Sequence, residues 1–401
     1  MTKHGLTRTG LALTMGVFAV TVAAGDWPRW RGPEGNGIST ESKWDPAALA
    51  APNVLWKKNV GAGYSTVAVK GDRLYTMGNK DKMDSVFCLN AATGEEIWHY
   101  SYPCGPGSTC LGPRATPTVD GNSLYTVSLE GHLFCLDAKT GTLKWGKNLI
   151  SDLHAKNVGW GFAGSAVTDG NLLLVNAGQY GAALDKATGT SVWTSPAGMG
   201  GYSTPVVFTC DGKSCLALFG QKAVYAVELK SGREMWSYKW ETEWDVNAAD
   251  PIVAKERMFI SSGYDRGCAL LDFTATSAKA AWENKSMRNH FSSCVVLNGF
   301  IYGIDGNNGK GDLVCLDFAT GQERWRSKIG FGSVTAADGK LIVLNEAGDL
   351  FVAQAVPEGY KELASAKGVL GRTCWTVPVL ANGRLYCRNE KGDLVCLDMG
   401  K

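Results

Sequence analysis

Two short stretches set cysteines close together around glycine-containing turns: "CGPGSTC" at 104–110 and "CDGKSC" at 210–215. At that spacing the two Cβ atoms can approach, so Cys104, Cys110, Cys210 and Cys215 are disulfide candidates whose connectivity the sequence leaves open. Histidine chemistry is less promising. His99, His132, His154 and His290 fall in separate stretches without metal-ligand spacing, so no zinc site is expected. There is no Cys-x-x-Cys-His, no His-Glu-x-x-His, no Gly-x-Ser-x-Gly and no phosphate-cradling glycine loop. "DGNNGKGD" at 305–312 misses the acidic and glycine order of an EF-hand and reads as a hairpin turn satisfied by its own side chains. Asp137, Asp185, Asp272, Asp317 and Asp398 recur at one equivalent place. A catalytic acid is needed once, whereas a turn acceptor is needed in every repeat, so these read as acceptors for the amides of the following turn.

The elements that hold these residues are repeats. "FCLNAATGEEIW" (87–98), "FCLDAKTGTLKW" (134–145), "AALDKATGTSVW" (182–193), "YAVELKSGREMW" (225–236), "LLDFTATSAKAAW" (270–282) and "VCLDFATGQERW" (314–325) end on Trp98, Trp145, Trp193, Trp236, Trp282 and Trp325. A period in the forties marks one supersecondary unit repeated along the chain. Upstream of the signatures stand hairpins such as "TPTVDGNSLYTVS" (116–128), with apolar alternation around an Asp-Gly turn. Each unit therefore reads as a four-stranded antiparallel meander. One such sheet cannot bury both faces alone, so the units must stack into a ring, an all-β propeller. Cys88, Cys135, Cys315 and Cys396 share one strand position and are expected in the core. The Trp side chains are expected between blades, each with an indole N–H that needs a partner.

Six units keep the Trp, a seventh at 334–363 has Gln354 for the Asp and no Trp, and an eighth ends with "GDLVCLDMGK" before its fourth strand. The orphan strand "NVLWKKNV" (53–60) carries Trp56 without a preceding signature. The expected fold is an eight-bladed β-propeller over 53–401, closed by that N-terminal strand pairing with the C-terminal blade; closure removes two exposed edges. Residues 1–24, with Lys3, His4 and Arg8 before an apolar stretch from Leu11 to Val22, read as a secretory leader cleaved near Ala24 or Gly25. That stretch is too short to span a bilayer. An arm, 25–52, containing "DWPRWRGPEGNGIS", is expected to lie across one face or side of the ring, with a partner-binding peptide as the alternative.

The apolar strand, Asp-Gly turn and "LD-x-x-TG-x-x-x-W" signature resemble the PQQ-repeat, quinoprotein-like β-propeller family over 54–401. The unit count is similar to BamB-like and exported "PQQ-binding-like" propellers, and the arm resembles a segment opening many such proteins from planctomycete-type bacteria. The resemblance implies one of two functions: a non-catalytic envelope scaffold, or a PQQ-dependent oxidoreductase of alcohols or sugars with PQQ and calcium. Quinoprotein dehydrogenases carry an adjacent Cys-Cys pair beside the cofactor. No such pair occurs here, which favours the scaffold, no cofactor and no metal.

Binding residues are best sought where the repeat varies. Aligning the loops that lead into each first strand places Tyr64, Arg114, Tyr202 and Trp375 at one position, with Trp160, Phe162, Asn247, Asp250, His290 and Phe291 nearby. In propellers these loops open near the central channel, so the residues either form a ligand or peptide funnel or plug the axis. With 40 Lys+Arg against 38 Asp+Glu the net charge is +2, and nucleic acid and anionic membrane are poor partners. The expected protein is an exported monomer of periplasm or medium, with no membrane span in the mature chain, that binds an envelope protein, a peptide or a small ligand.

Overall fold

The structure, a computed structural model, describes residues 1, 25–254, 256–307 and 309–400; the leader expected over 1–24 lies, from residue 2 on, outside the described residues. Blades 1 to 7 span 68–103, 118–148, 167–194, 206–239, 252–284, 295–327 and 332–366, each a four-stranded antiparallel sheet. Blade 8 takes three strands from 379–398 and its fourth from Val54–Asn59. Val54 pairs with Leu397 and Trp56 with Cys396, so the two ends of the chain close the ring as expected. The first strands lie innermost, and those of blades 1 and 2, 2 and 3, and 6 and 7 touch one another. Among the described residues no helix is long and apolar enough to cross a membrane.

The signature works across blades rather than within one. Asp137 Oδ1 accepts the amides of Lys139 (2.9 Å) and Thr140 (3.0 Å), and Asp185 and Asp317 bind their own turns in the same way. Asp398 accepts from Gly400 N. The turn so fixed turns a carbonyl towards the preceding blade, where the Trp indole donates to it. Trp98 reaches Ala138 O, Trp145 reaches Lys186 O, Trp193 reaches Leu229 O, Trp236 reaches Thr274 O, Trp282 reaches Phe318 O, Trp325 reaches Val356 O and Trp56 reaches Ala91 O, all at 2.8–3.2 Å. The Thr-Gly turn has a second reason to hold glycine. Gly141 adopts φ +74°, and a Cβ there would stand 2.6 Å from the Trp98 ring. Asp272 departs from the expectation. Its turn is two residues longer, so Thr274 Oγ1 takes the amides of Thr276 and Ser277, and Asp272 pairs with Arg257 instead.

The seventh blade has Ala364 opposite Val352, where blade 1 has Trp98 opposite Cys88. The arm fills the place. Its short 3-10 helix, Pro46–Ala50, is capped by Asp45, whose side chain accepts from Ala47 N and whose own amide donates to Met399 O at 2.7 Å. Leu49 and Trp44 bury against Leu350, Val352, Ala366, Leu397 and Met399. The rest of the arm crosses the ring at its centre. It threads the inner strands: Trp27 bridges Val69 of blade 1, Pro28 O accepts from Val119 of blade 2, Arg31 Nη2 donates to Cys294 O of blade 6, and Ile38–Ser39 pairs in parallel with the first strand of blade 7. Trp27 is wholly buried as a result.

All twelve cysteines carry free thiols, which corrects both disulfide candidates. Cys210 pairs with Lys213 and Cys215 with Phe208, so the two cysteines are only diagonal neighbours, whose separation exceeds the Cβ approach a disulfide needs. Cys104 is buried in the core between blades 1 and 2, whereas Cys110 turns to the central cavity. Cys88, Cys135, Cys315 and Cys396 are core residues as expected. In the 305–312 hairpin, Asp305 is held by Arg288 and Arg326 at 2.7–2.8 Å, a pairing that serves the two arginines rather than a calcium ion.

Trp56→Ala should destabilise the fold by about 3–5 kcal/mol, the cost of removing a buried Trp. Deleting 392–401 or replacing 53–60 should go further and abolish the cooperative thermal transition, since either change reopens the ring. A truncated chain melting with unchanged midpoint in calorimetry would contradict the closure.

Candidate functional site

The loops leading into the first strands converge on one central cavity of about 390 Å³. Of the residues the sequence singles out, Tyr64, Arg114, Trp160, Tyr202, Asp250, His290, Phe291 and Trp375 line it. Asn247 does not. It is wholly buried and its amide donates to Gly220 O, Gln221 O and Trp240 O, so it ties a loop down. Phe162 also turns away, into the core against Leu129 and Gly131. Among the further wall residues, Trp30, Cys110 and Tyr264 escaped the sequence alignment. Trp30 belongs to the arm and the other two to segments outside the aligned position.

The wall is aromatic. Tyr64 stacks on Trp375 with centroids 5.5 Å apart, Phe291 packs on Trp375 at 4.8 Å, and Trp160 lies 6.2 Å from Tyr202. His290 stacks on Phe291 and meets the Tyr264 hydroxyl at 3.1 Å. Polar groups are few. Arg114 Nη2 donates to Thr109 O and Cys110 O, while its buried Nη1 has no hydrogen-bond partner among the described residues. Burial lowers the Arg114 pKa. Tyr64 donates to Glu390 Oε2, and burial, then Cys110 and Glu390, push its pKa up, keeping the phenol protonated.

Asp250 anchors the floor. A belt of bonds links successive blades at one position: Thr116 N donates to Ser165 Oγ, Ser165 N to Thr204 Oγ1, Thr204 N to Asp250 Oδ1 and Asp250 N to Ser293 Oγ, at 2.7–3.0 Å. Asp250 is the carboxylate in a belt of hydroxyls. Its second oxygen accepts the Trp30 indole at 2.6 Å, with Arg31 at 3.8 Å. Burial raises the Asp250 pKa, against the lowering pull of Arg31 and the Trp30 N–H. The arm is thus the floor of the cavity, pinned by one buried carboxylate.

A sequence model of the family described as outer membrane protein assembly factor BamB matches residues 82–327. The chain belongs to this family. It is 24% identical over 363 residues to the outer membrane protein assembly factor BamB of Yersinia pestis, covering 86% of this chain and 78% of the relative. The solved BamB of Moraxella catarrhalis superposes with TM-score 0.64 at 16% identity, over 87% of this chain and all of that one. A quinohemoprotein alcohol dehydrogenase from Comamonas testosteroni superposes with TM-score 0.71 at 14% identity, over 95% of this chain and 82% of that one. At such identities the two structural likenesses speak for the propeller fold alone.

The cavity residues fit a calcium-bound quinone poorly. Calcium takes six to eight oxygen ligands, largely carboxylate. Asp250 is the one carboxylate among the lining residues, and both of its oxygens already accept from Trp30 and Thr204. Cys110 is the single cysteine on the wall.

Asp250→Ala would strand the Thr204 amide, the Trp30 indole and the Arg31 guanidinium. A loss of roughly 2 kcal/mol or more is expected, since each buried polar group left unpaired costs about 1–3 kcal/mol. Trypsin should then cleave after Arg29 or Arg31, sites protected in the parent protein. Unchanged melting and an unchanged digestion pattern would show that the floor does not depend on this carboxylate.

Proposed function

We propose that this protein is an exported, non-catalytic scaffold that docks an envelope protein on the cavity face, working like the outer membrane protein assembly factors of its family. One observation carries the reading. Four consecutive loops, those joining blades 1 to 5, each present a large apolar side chain to water: Leu111, Trp160, Met199 and Trp244, with 38–66% of their surface exposed. Trp244 does so from a left-handed backbone, φ +66°. Scattered apolar residues are ordinary on a surface, but a row of them bordering a cavity marks a contact site. Trp160 belongs to both row and cavity, so a partner's side chain inserted beside it would be desolvated on every side, the usual setting of an interface anchor. Asp250 and His290, the candidate acid and base at the wall, are already engaged in holding it, and Cys110 is its single thiol.

The export reading places the protein in the periplasm or the medium, as a monomer without a PQQ cofactor. The family's name supports an envelope partner, and the near-neutral charge of +2 gives no reason to expect nucleic acid.

The direct test is quantitative capture of outer membrane proteins and their assembly factors from envelope extract by the parent protein and by Trp160→Ala/Trp244→Ala. Loss of two interface anchors of about 2 kcal/mol each should weaken capture by tenfold or more while the melting temperature holds. Equal capture by both proteins would sink the docking face. Incubation with PQQ and calcium, followed by chromophore and dye-reduction assays with alcohols and sugars, should show neither stoichiometric binding nor turnover. Both together would replace the scaffold with the oxidoreductase.

A further inference from the structure

Beside the cavity, at the junction of blades 1 and 2, three side chains of metal-binding type come together from distant parts of the repeat. The Cys104 thiol, the Glu130 carboxylate and the His132 imidazole place one potential ligand atom each within 4.8 Å of one another. Around a tetrahedral zinc ion, with bonds of roughly 2.0–2.3 Å, ligand atoms stand about 3.3–3.8 Å apart, so a modest closure brings the three into range.

A further carboxylate, Asp84, lies beside this group. Asp84 is 1% exposed, and its Oδ1 is held by Asn79 Nδ2 at 2.7 Å, while its buried Oδ2 has no hydrogen-bond partner among the described residues. Asp84 lies against Cys104 and close enough to Glu130 for the two carboxylates to repel. Neither Asp84 nor Glu130 has an ion pair with a lysine or arginine among the described residues. Two carboxylates without a cation, set beside a protonated thiol, make an electrostatically uncompensated pair, which a divalent ion would relieve.

The supports of the cluster resemble those of a built site. His132 Nδ1 stands 3.0 Å from Ser128 Oγ, and the ring packs edge-on against Tyr102 and face-on against Phe134, which fix its plane. Gly105 N donates to Glu130 Oε1 at 3.1 Å, and a Cβ at Gly105 would stand 2.7 Å from that oxygen. Asn79 spans the two strands by donating also to Cys104 O at 3.0 Å. Such outer partners orient ligands at metal centres.

We infer that Cys104, Glu130 and His132, with Asp84 beside them, form a binding site for one borderline-soft divalent ion of the zinc class. The donor set of one sulfur, one imidazole and carboxylate oxygens selects such an ion over magnesium or calcium, which prefer all-oxygen shells. Binding deprotonates the Cys104 thiol and releases the proton to solvent, so affinity rises with pH. The site fastens the start of the loop whose other end carries Thr109 and Cys110 to the cavity wall. Metal at this point therefore holds the wall beside Arg114, whose guanidinium donates to Thr109 O and Cys110 O. The ligands divide between two repeats, so no short sequence spacing links 104 to 130 and 132.

The test is titration of the reduced, metal-stripped full-length protein with Zn2+ by calorimetry and with Co2+ by visible absorption. One equivalent per chain is expected, with a thiolate-to-cobalt charge-transfer band. Cys104→Ser should abolish the band, and His132→Gln and Glu130→Gln should each weaken Zn2+ affinity by at least tenfold. Should Cys104→Ser fail to fold, the band and the affinities of the two half-exposed variants, His132→Gln and Glu130→Gln, decide alone. Ca2+ and Mg2+ in tenfold excess should not displace the zinc. Absence of stoichiometric binding, a cobalt spectrum without the sulfur band, or affinity unchanged in both His132→Gln and Glu130→Gln would overturn the assignment.

Discussion

The contact on which the ring depends is the one between a Trp indole and the turn of the next blade. Seven times the indole N–H donates to a backbone carbonyl, and its ring lies under a turn whose glycines at 94, 141, 189, 232 and 321 leave no room for a Cβ. The contact combines burial of a large aromatic surface with satisfaction of its polar group, two terms that would oppose one another if the carbonyl were absent. Tyr75, Tyr125 and Tyr386 donate to carbonyls already used by Trp98, Trp145 and Trp56, so one acceptor holds two rings in place. Because each lock joins two blades, no blade is stable by itself, and a ring of eight needs eight junctions filled. The buried guanidinium of Arg388, donating to Gly61 O, Ser65 O and Met77 O, adds a further clasp where the last blade meets the first.

The arm turns this repeat into a particular protein. It supplies the eighth junction with Leu49 and Trp44, where Ala364 leaves a gap, and then supplies the cavity floor with Trp30, which Asp250 of the loop between blades 4 and 5 holds in place. One segment thus links the stability of the ring to the shape of the site. Above that floor the aromatic wall and the apolar row from Leu111 to Trp244 face the same side, which is what a docking face requires.

Much of this was legible in the sequence because the propeller is written in short-range chemistry. An Asp or Asn three residues before a Thr-Gly turn, a Trp a fixed distance on, and a hairpin upstream all act within one unit. Trp56 as the missing strand's Trp followed from that register alone. The arm's path was not legible, since its partners lie hundreds of residues away, Ser39 to Leu380 being 341 apart. Asp250 was singled out by position, but its belt appeared only once the blades were side by side. One signal was present and unread: Thr116, Thr204 and Asp250 each precede a proline, so the carboxylate stands where other blades place a hydroxyl. The paired cysteines misled because sequence proximity said nothing of strand register, and Asp272 misled because its turn is two residues longer.

The claim that the arm completes the ring is open to hydrogen–deuterium exchange by mass spectrometry on the parent protein and on Trp44→Ala/Leu49→Ala. If the arm stands in for the eighth Trp, the double variant should lose protection first in strands 340–366 and 379–398, with blades 2 to 5 exchanging as before. Protection lost uniformly around the ring, or not at all, would contradict it.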